Sequence, residues 1–305
     1  MNAILENERL RVTIADRGVE LVSVVRKPDL DGGEGACEYI WQGDPQYWAE
    51  RAPLLFPICG RLPGGRDGHY YWRGRRHEMT IHGFLRSKTF AVESRDATGV
   101  LMALEDDAET FAQYPFKFRI EVRVTLDGDN LGWNVRVRNR GAEDALPFAF
   151  GFHPGFNVPL GGSPAFNEWE LRFEGATAPE RIVFSPAPSC LDTGTTIKFP
   201  LDGGDTLHLA HSLFENDAIF LRGWGSAVTL RSDGSPRSVR VIPGEGFSSL
   251  GLWHAPHSDA PYVCVEPWTG LPSREGAEED FATKEPFFRP GPGEEVSLGL
   301  RMQFS

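Results

Sequence analysis

From residue 119 to residue 138 the chain alternates between apolar and polar positions. Ile120, Val122, Val124 and Leu126 take every second place, with Arg119, Glu121, Arg123 and Thr125 between them. That period of two is the mark of a strand with one face buried and one face in water. After D-G-D-N at 127–130 the pattern resumes, with Leu131, Trp133, Val135 and Val137 set against Gly132, Asn134, Arg136 and Arg138. Two such runs joined by a short Asp/Gly turn form an antiparallel hairpin. Its apolar face must be covered by another layer.

Shorter alternating runs occupy 20–26, 91–95, 228–231, 239–242 and 296–302. Helical signals are confined to 106–113, which Tyr114-Pro115 ends, and to a possible turn at 45–50. The 34 glycines and 23 prolines are spread along the whole chain, which favours many short strands over long helices. There is no internal repeat. The segments 30–36 and 272–279 read as surface loops too short to link domains. The expected architecture is one all-β domain over residues 1–305, a large antiparallel β-sandwich.

Composition narrows the function. The net charge of −12 argues against a nucleic-acid surface, which needs clustered Lys and Arg. No segment approaches the roughly 18 apolar residues of a membrane span, and no signal peptide is expected at the N-terminus. Cys37, Cys59, Cys190 and Cys264 show no C-x-x-C spacing. Neither a disulfide framework nor a zinc site is expected, and no compact His/carboxylate ligand set is visible. A protein of a reducing, cytoplasmic compartment is the simplest expectation, without metal or organic cofactor, as a monomer or homodimer.

Two titratable residues stand out. In F-A-F-G-F-H-P-G-F-N, period two puts Phe148, Phe150 and Phe152 on one face. Ala149, Gly151 and His153 fall on the other, where the small residues leave room beside the imidazole. A core histidine bonded to a carbonyl is the alternative. In Y-V-C-V-E-P-W-T-G, Tyr262, Cys264 and Glu266 share a face opposite Val263 and Val265. A carboxylate after such a run is expected to be desolvated, which raises its pKa and suits it to act as a base near neutral pH. The alternative is an exposed edge-strand glutamate. Trp268 offers an apolar platform for a sugar ring or ordinary packing.

Around this pair, Arg61 in F-P-I-C-G-R-L lies in an apolar setting and needs acceptors, from a partner or a ligand. His82 in T-I-H-G-F-L-R precedes a glycine that permits close approach. Arg86 reads as structural or as half of a phosphate clamp with Arg61. Asp217 in L-F-E-N-D-A-I-F-L either accepts hydroxyl hydrogen bonds or caps a turn. The other histidines, His69, His77, His208, His211, His254 and His257, lie in polar or loop-like contexts and carry no assigned role.

Six segments together resemble the aldose 1-epimerase (galactose mutarotase-like) family, and its LacX-type branch in particular. They are R-A-P-L-L-F-P-I-C-G-R-L, I-H-G-F-L-R, Y-P-F-K-F, F-G-F-H-P-G-F-N, S-L-F-E-N-D-A-I-F and V-C-V-E-P-W-T-G, in the family's order. The resemblance implies a galactose mutarotase-like β-sandwich that interconverts α and β anomers of an aldose. It implies Glu266 as general base and His153 as general acid, with His82, Arg61 and Asp217 on sugar oxygens. Activity that needs His153 protonated and Glu266 ionised is expected to be bell-shaped in pH. The sequence departs from the better-known galactose enzymes in H-P-G-F-N around the acid histidine. It also has Thr80 where a second histidine usually stands. These departures leave the sugar open. A hexose-6-phosphate mutarotase and a non-catalytic carbohydrate-binding protein on the same fold are the alternatives, with a vestigial pocket as a third.

Overall fold

The computed structural model describes residues 2–28 and 35–305. Most of the loop expected at 30–36 therefore lies outside the described residues. The hairpin forms as its pattern requires, from strands Phe118–Asp127 and Asn130–Asn139. Its register sets Ile120 against Val137, Val122 against Val135 and Val124 against Trp133. All of these are buried. The opposite face carries charge in ion pairs, with Arg119 reaching Glu93, Glu105 and Glu121.

The hairpin belongs to a nine-stranded sheet, in which Asn130–Asn139 pairs with Glu295–Phe304 and Phe118–Asp127 with Gly99–Glu105. An eight-stranded sheet runs through Glu180–Phe184, Ile219–Arg222, Ser249–Trp253, Tyr262–Trp268, Gly151–Phe152 and Leu54–Leu55. Gly155–Asn157 also pairs with Tyr262–Trp268. The ladders between these strands are antiparallel. A four-stranded sheet and the ribbon Asp67–Trp72/Arg75–Thr80 complete the strands of the described residues. One apolar cluster joins both large sheets. It includes Val122 and Val135 from the first, and Leu221, Leu252, Val263 and Val265 from the second. The β-sandwich expected from the alternation is what forms.

Period two then decides what the outer face of the eight-stranded sheet carries. With Val263 and Val265 in the core, Tyr262, Cys264, Glu266 and Trp268 point the other way. With Leu250 and Leu252 inside, Ser249, Gly251 and Trp253 share that outer face. Gly251 stands opposite Glu266 and Gly151 opposite Trp268.

Several local expectations need revision. The helix spans Ala108–Gln113, with Asp107 as its cap accepting from Thr110 N. Segment 272–279 is not surface throughout: Pro272 and Ser273 are buried, and Pro272 packs on Gly60. His77 and His254 are buried rather than loop-like, and His254 contacts His211 at 3.2 Å. His77 stands opposite Tyr70 in the ribbon and His254 packs on Phe166 and Phe214, contacts that local composition does not reveal. No helix of the described residues is long and apolar enough to cross a membrane.

Candidate active site

Glu266 sits within the strand Tyr262–Trp268, which continues through Pro267. It is flanked by Ser249–Trp253 on one side and by the strands around His153 on the other, so it is not an edge residue. Its exposure is 1%. His153 follows the two-residue strand Gly151–Phe152 and is 8% exposed. The two strands are neighbours, and His153 Nε2 lies 3.2 Å from Glu266 Oε2. A pair read from distant segments is thus in direct contact.

Burial pushes the two pKa values apart, each toward its neutral form. Desolvation takes His153 down to about 3, with the Arg86 charge adding to the effect. Desolvation and the Asp217 carboxylate hold Glu266 well above the usual carboxylate range. Between those limits both groups are neutral, and the pair carries one proton. Imidazolium with carboxylate is a tautomer of imidazole with carboxylic acid and carries the same one proton.

The other expected residues surround the pair. His82 presents its ring edge-on to His153, with centroids 5.7 Å apart. Its Nδ1 accepts from Gly60 N at 3.1 Å, which leaves the proton on Nε2 as a donor. Desolvation, aided by His153 and the nearby arginines, keeps this ring neutral. Gly83 explains the tight turn: it has φ +71, and a Cβ there would lie 2.2 Å from Phe56 O. Asp217 Oδ1 accepts from Trp253 Nε1 at 2.8 Å, and its Oδ2 lies 3.5 Å from Cys190 Sγ.

The two arginines are engaged by the protein. Arg61 donates to Pro188 O at 2.6 Å. Arg86 pairs with Glu50 at 3.0 Å and donates to Ile81 O at 3.1 Å. Trp268 is 3% exposed and packs on His82 and Phe220, so it presents no open platform. Glu266 Oε1 and Trp268 Nε1 are buried without a hydrogen-bond partner. Such buried orphans cost about 1–3 kcal/mol or more each.

One negative expectation is corrected. His153, Cys264 and Glu266 do form a compact set, with ligand atoms within 4.8 Å of one another. A cation would need Cys264 as thiolate and Glu266 as carboxylate. Burial pushes both toward protonation, so this donor set suits a shared proton better.

Sequence reasoning missed three neighbours. Trp48 lies 4.9 Å from His153, ring centre to ring centre, and Trp253 lies 5.9 Å away. Cys190 reaches the site from a loop. S-L-G-L-W held the signal for Trp253, because its alternation puts Ser249, Gly251 and Trp253 on one face.

An aldose 1-epimerase family model matches residues 2–278. The chain belongs to the aldose 1-epimerase family. The LacX protein encoded on a plasmid of Lactococcus lactis subsp. lactis is 34% identical over 279 residues, covering 89% of this chain and 88% of LacX. A galactose mutarotase related enzyme from Lactobacillus acidophilus has 30% identity and a TM-score of 0.89, over 100% of this chain and 97% of its own. A galactose mutarotase-like protein from Lactobacillus casei has the same identity and TM-score over 100% of both chains. The fold is therefore galactose mutarotase-like, and the family implies a sugar as ligand.

Proposed function

We propose that this protein is an aldose 1-epimerase acting on a neutral, unphosphorylated aldose. The observation that supports it most is the buried His153–Glu266 pair, in contact at 3.2 Å with Glu266 Oε1 unpartnered. In this reading Glu266, as carboxylate, takes the proton of the anomeric hydroxyl. His153, as imidazolium, delivers one to the ring oxygen. The C1–O5 bond breaks, the aldehyde forms, and rotation about C1–C2 exposes its other face. Reclosure returns both protons, so the pair ends as it began. Each positioned proton-transfer group typically contributes about 10²–10⁴-fold. His82, donating from Nε2, and Asp217, accepting, would hold sugar oxygens.

The same pair reshapes the expected pH profile. Activity needs one proton on the pair. It is lost when a second is added at low pH or when the last leaves at high pH. Burial moves those limits apart, so the bell becomes a broad plateau.

Charge favours a neutral sugar over a sugar phosphate. Arg86 is ion-paired with Glu50, and Arg61 donates to Pro188 O, so neither guanidinium is free to clamp a phosphate. A dianionic group would also meet the carboxylate of Asp217. The test is proton NMR magnetisation exchange between α and β anomers of galactose, glucose, arabinose and glucose 6-phosphate. Protein-dependent exchange of a neutral sugar supports the proposal. Line broadening without exchange would replace it with a carbohydrate-binding role.

A further inference from the structure

Trp48 has no counterpart among the residues that the acid–base mechanism uses, yet it makes the nearest aromatic contact to His153. Its ring lies 4.9 Å from the imidazole and tilts by only 32°, so it covers one face of the acid. It comes from a turn that closes through Tyr47 N and Trp48 N on Asp44 O. Its own carbonyl accepts from Trp41 Nε1 at 2.8 Å, and the ring leans on Trp253 at 5.5 Å. The indole is half-buried, with its inner side toward His153.

The sequence around the acid is shaped to admit this ring. Gly155, two residues after His153, has no side chain, and a Cβ there would lie 3.0 Å from Trp48 Cζ3. It would also meet Arg51 O at 3.2 Å and Trp41 Cβ at 3.3 Å. The glycine of H-P-G is thus the cavity into which Trp48 fits. That explains a local sequence which, read alone, only broke the strand.

We propose that Trp48 is a positioning residue for His153: it covers the imidazole, holds Nε2 on Glu266 Oε2 and excludes water from the proton-sharing contact. This rests on the reading of His153 as the acid. The other groups facing the imidazole are Glu266 at 3.2 Å, the neutral His82, the Cys264 thiol and the charge of Arg86, itself paired with Glu50. Asp217 acts on the pair through Glu266. None of these side chains is altered by substituting Trp48. What changes is access of water to His153, and hydration favours the imidazolium.

The experiment follows the His153 Cε1–H resonance by ¹H–¹³C NMR against pH, assigned with His153→Asn, in wild type, Trp48→Ala and Trp48→Phe. Alongside it, kcat and KM for anomer exchange are measured from pH 4 to 8. Trp48→Ala should raise the imidazole titration by about one pH unit or more. The acidic limb of kcat should rise with it, while KM changes by less than about threefold. Trp48→Phe, which keeps an aromatic face, should recover most of both shifts. Trp48→Leu gives the same readout should the alanine variant not fold. An unmoved titration, with kcat lowered equally at every pH, would make Trp48 merely structural and overturn the proposal. A rise in KM alone would make it a sugar platform and overturn it too. The titration needs no turnover, so failure of the mutarotase reading would show separately, as absence of exchange in wild type.

Discussion

Glu266→Gln should make the protein more stable at neutral pH while removing the proposed anomer exchange. The wild-type carboxyl is 1% exposed and its pKa is raised by burial and by Asp217. In the unfolded chain it ionises near its ordinary value of 4.5. Above that pH the native state holds a proton that the unfolded state has released. The number bound is therefore smaller in the unfolded state, and stability falls as pH rises. The slope is about 1.4 kcal/mol per pH unit until the folded carboxyl itself ionises. From 4.5 to 7 this gives a ceiling of about 3 kcal/mol. Glutamine does not titrate, and its amide can still donate to His153 Nε2. His153 contributes the opposite slope, because its folded pKa is lowered: stability falls below pH 6.5 as the unfolded imidazole protonates. That contribution remains in both proteins and largely cancels from their difference. Urea denaturation at pH 4.5, 5.5 and 7 reads it out. The variant should match wild type at pH 4.5 and gain on it with rising pH, while anomer exchange falls by about 10²–10⁴-fold. A difference independent of pH, or a variant less stable at pH 7, would refute the claim that Glu266 is held protonated by its surroundings.

Three further outcomes are expected. Wild-type exchange should vary by less than about twofold between pH 5 and 7, since one proton stays on the pair across that window; a steep change near pH 6.5 would mean an ordinary, solvated His153. Exchange of glucose should exceed that of glucose 6-phosphate, and Glu50→Gln, which frees the Arg86 charge, should narrow the gap; magnetisation exchange on both sugars measures it. Methyl methanethiosulfonate should label Cys190 before Cys37, Cys59 and Cys264, because only Cys190 is half-buried rather than buried; bound sugar should slow that labelling through the contact with Asp217, as read by mass spectrometry.

Much was legible in sequence where the physics is local. Alternation assigned Ile120 to Leu126 and Leu131 to Val137 to the core, and it put Glu266 on the face opposite Val263 and Val265. The same rule freed the face that carries Ala149, Gly151 and His153. Tyr114-Pro115 marked the end of the short helix, while the Asp107 cap came from the structure. Motif order pointed to the family from the same residues. Trp268 was read as a platform or as ordinary packing, and its burial against His82 and Phe220 was not foreseeable, because Phe220 comes from a distant strand. Arg86 was read as a possible phosphate ligand, and only the fold revealed Glu50 beside it.

By itself, then, the sequence determined which elements are strands, which faces they bury and which side chains have the chemistry for proton transfer. Each of those depends on a period of two and on turn residues close at hand. Tertiary structure alone decided that His153 meets Glu266, that the Trp48 ring lies beside His153 and that both arginines are already engaged. Strand order in an antiparallel sheet is a long-range choice, set by how two whole faces pack. Desolvation, which moves the His153 and Glu266 pKa values in opposite directions, exists only once that packing is complete.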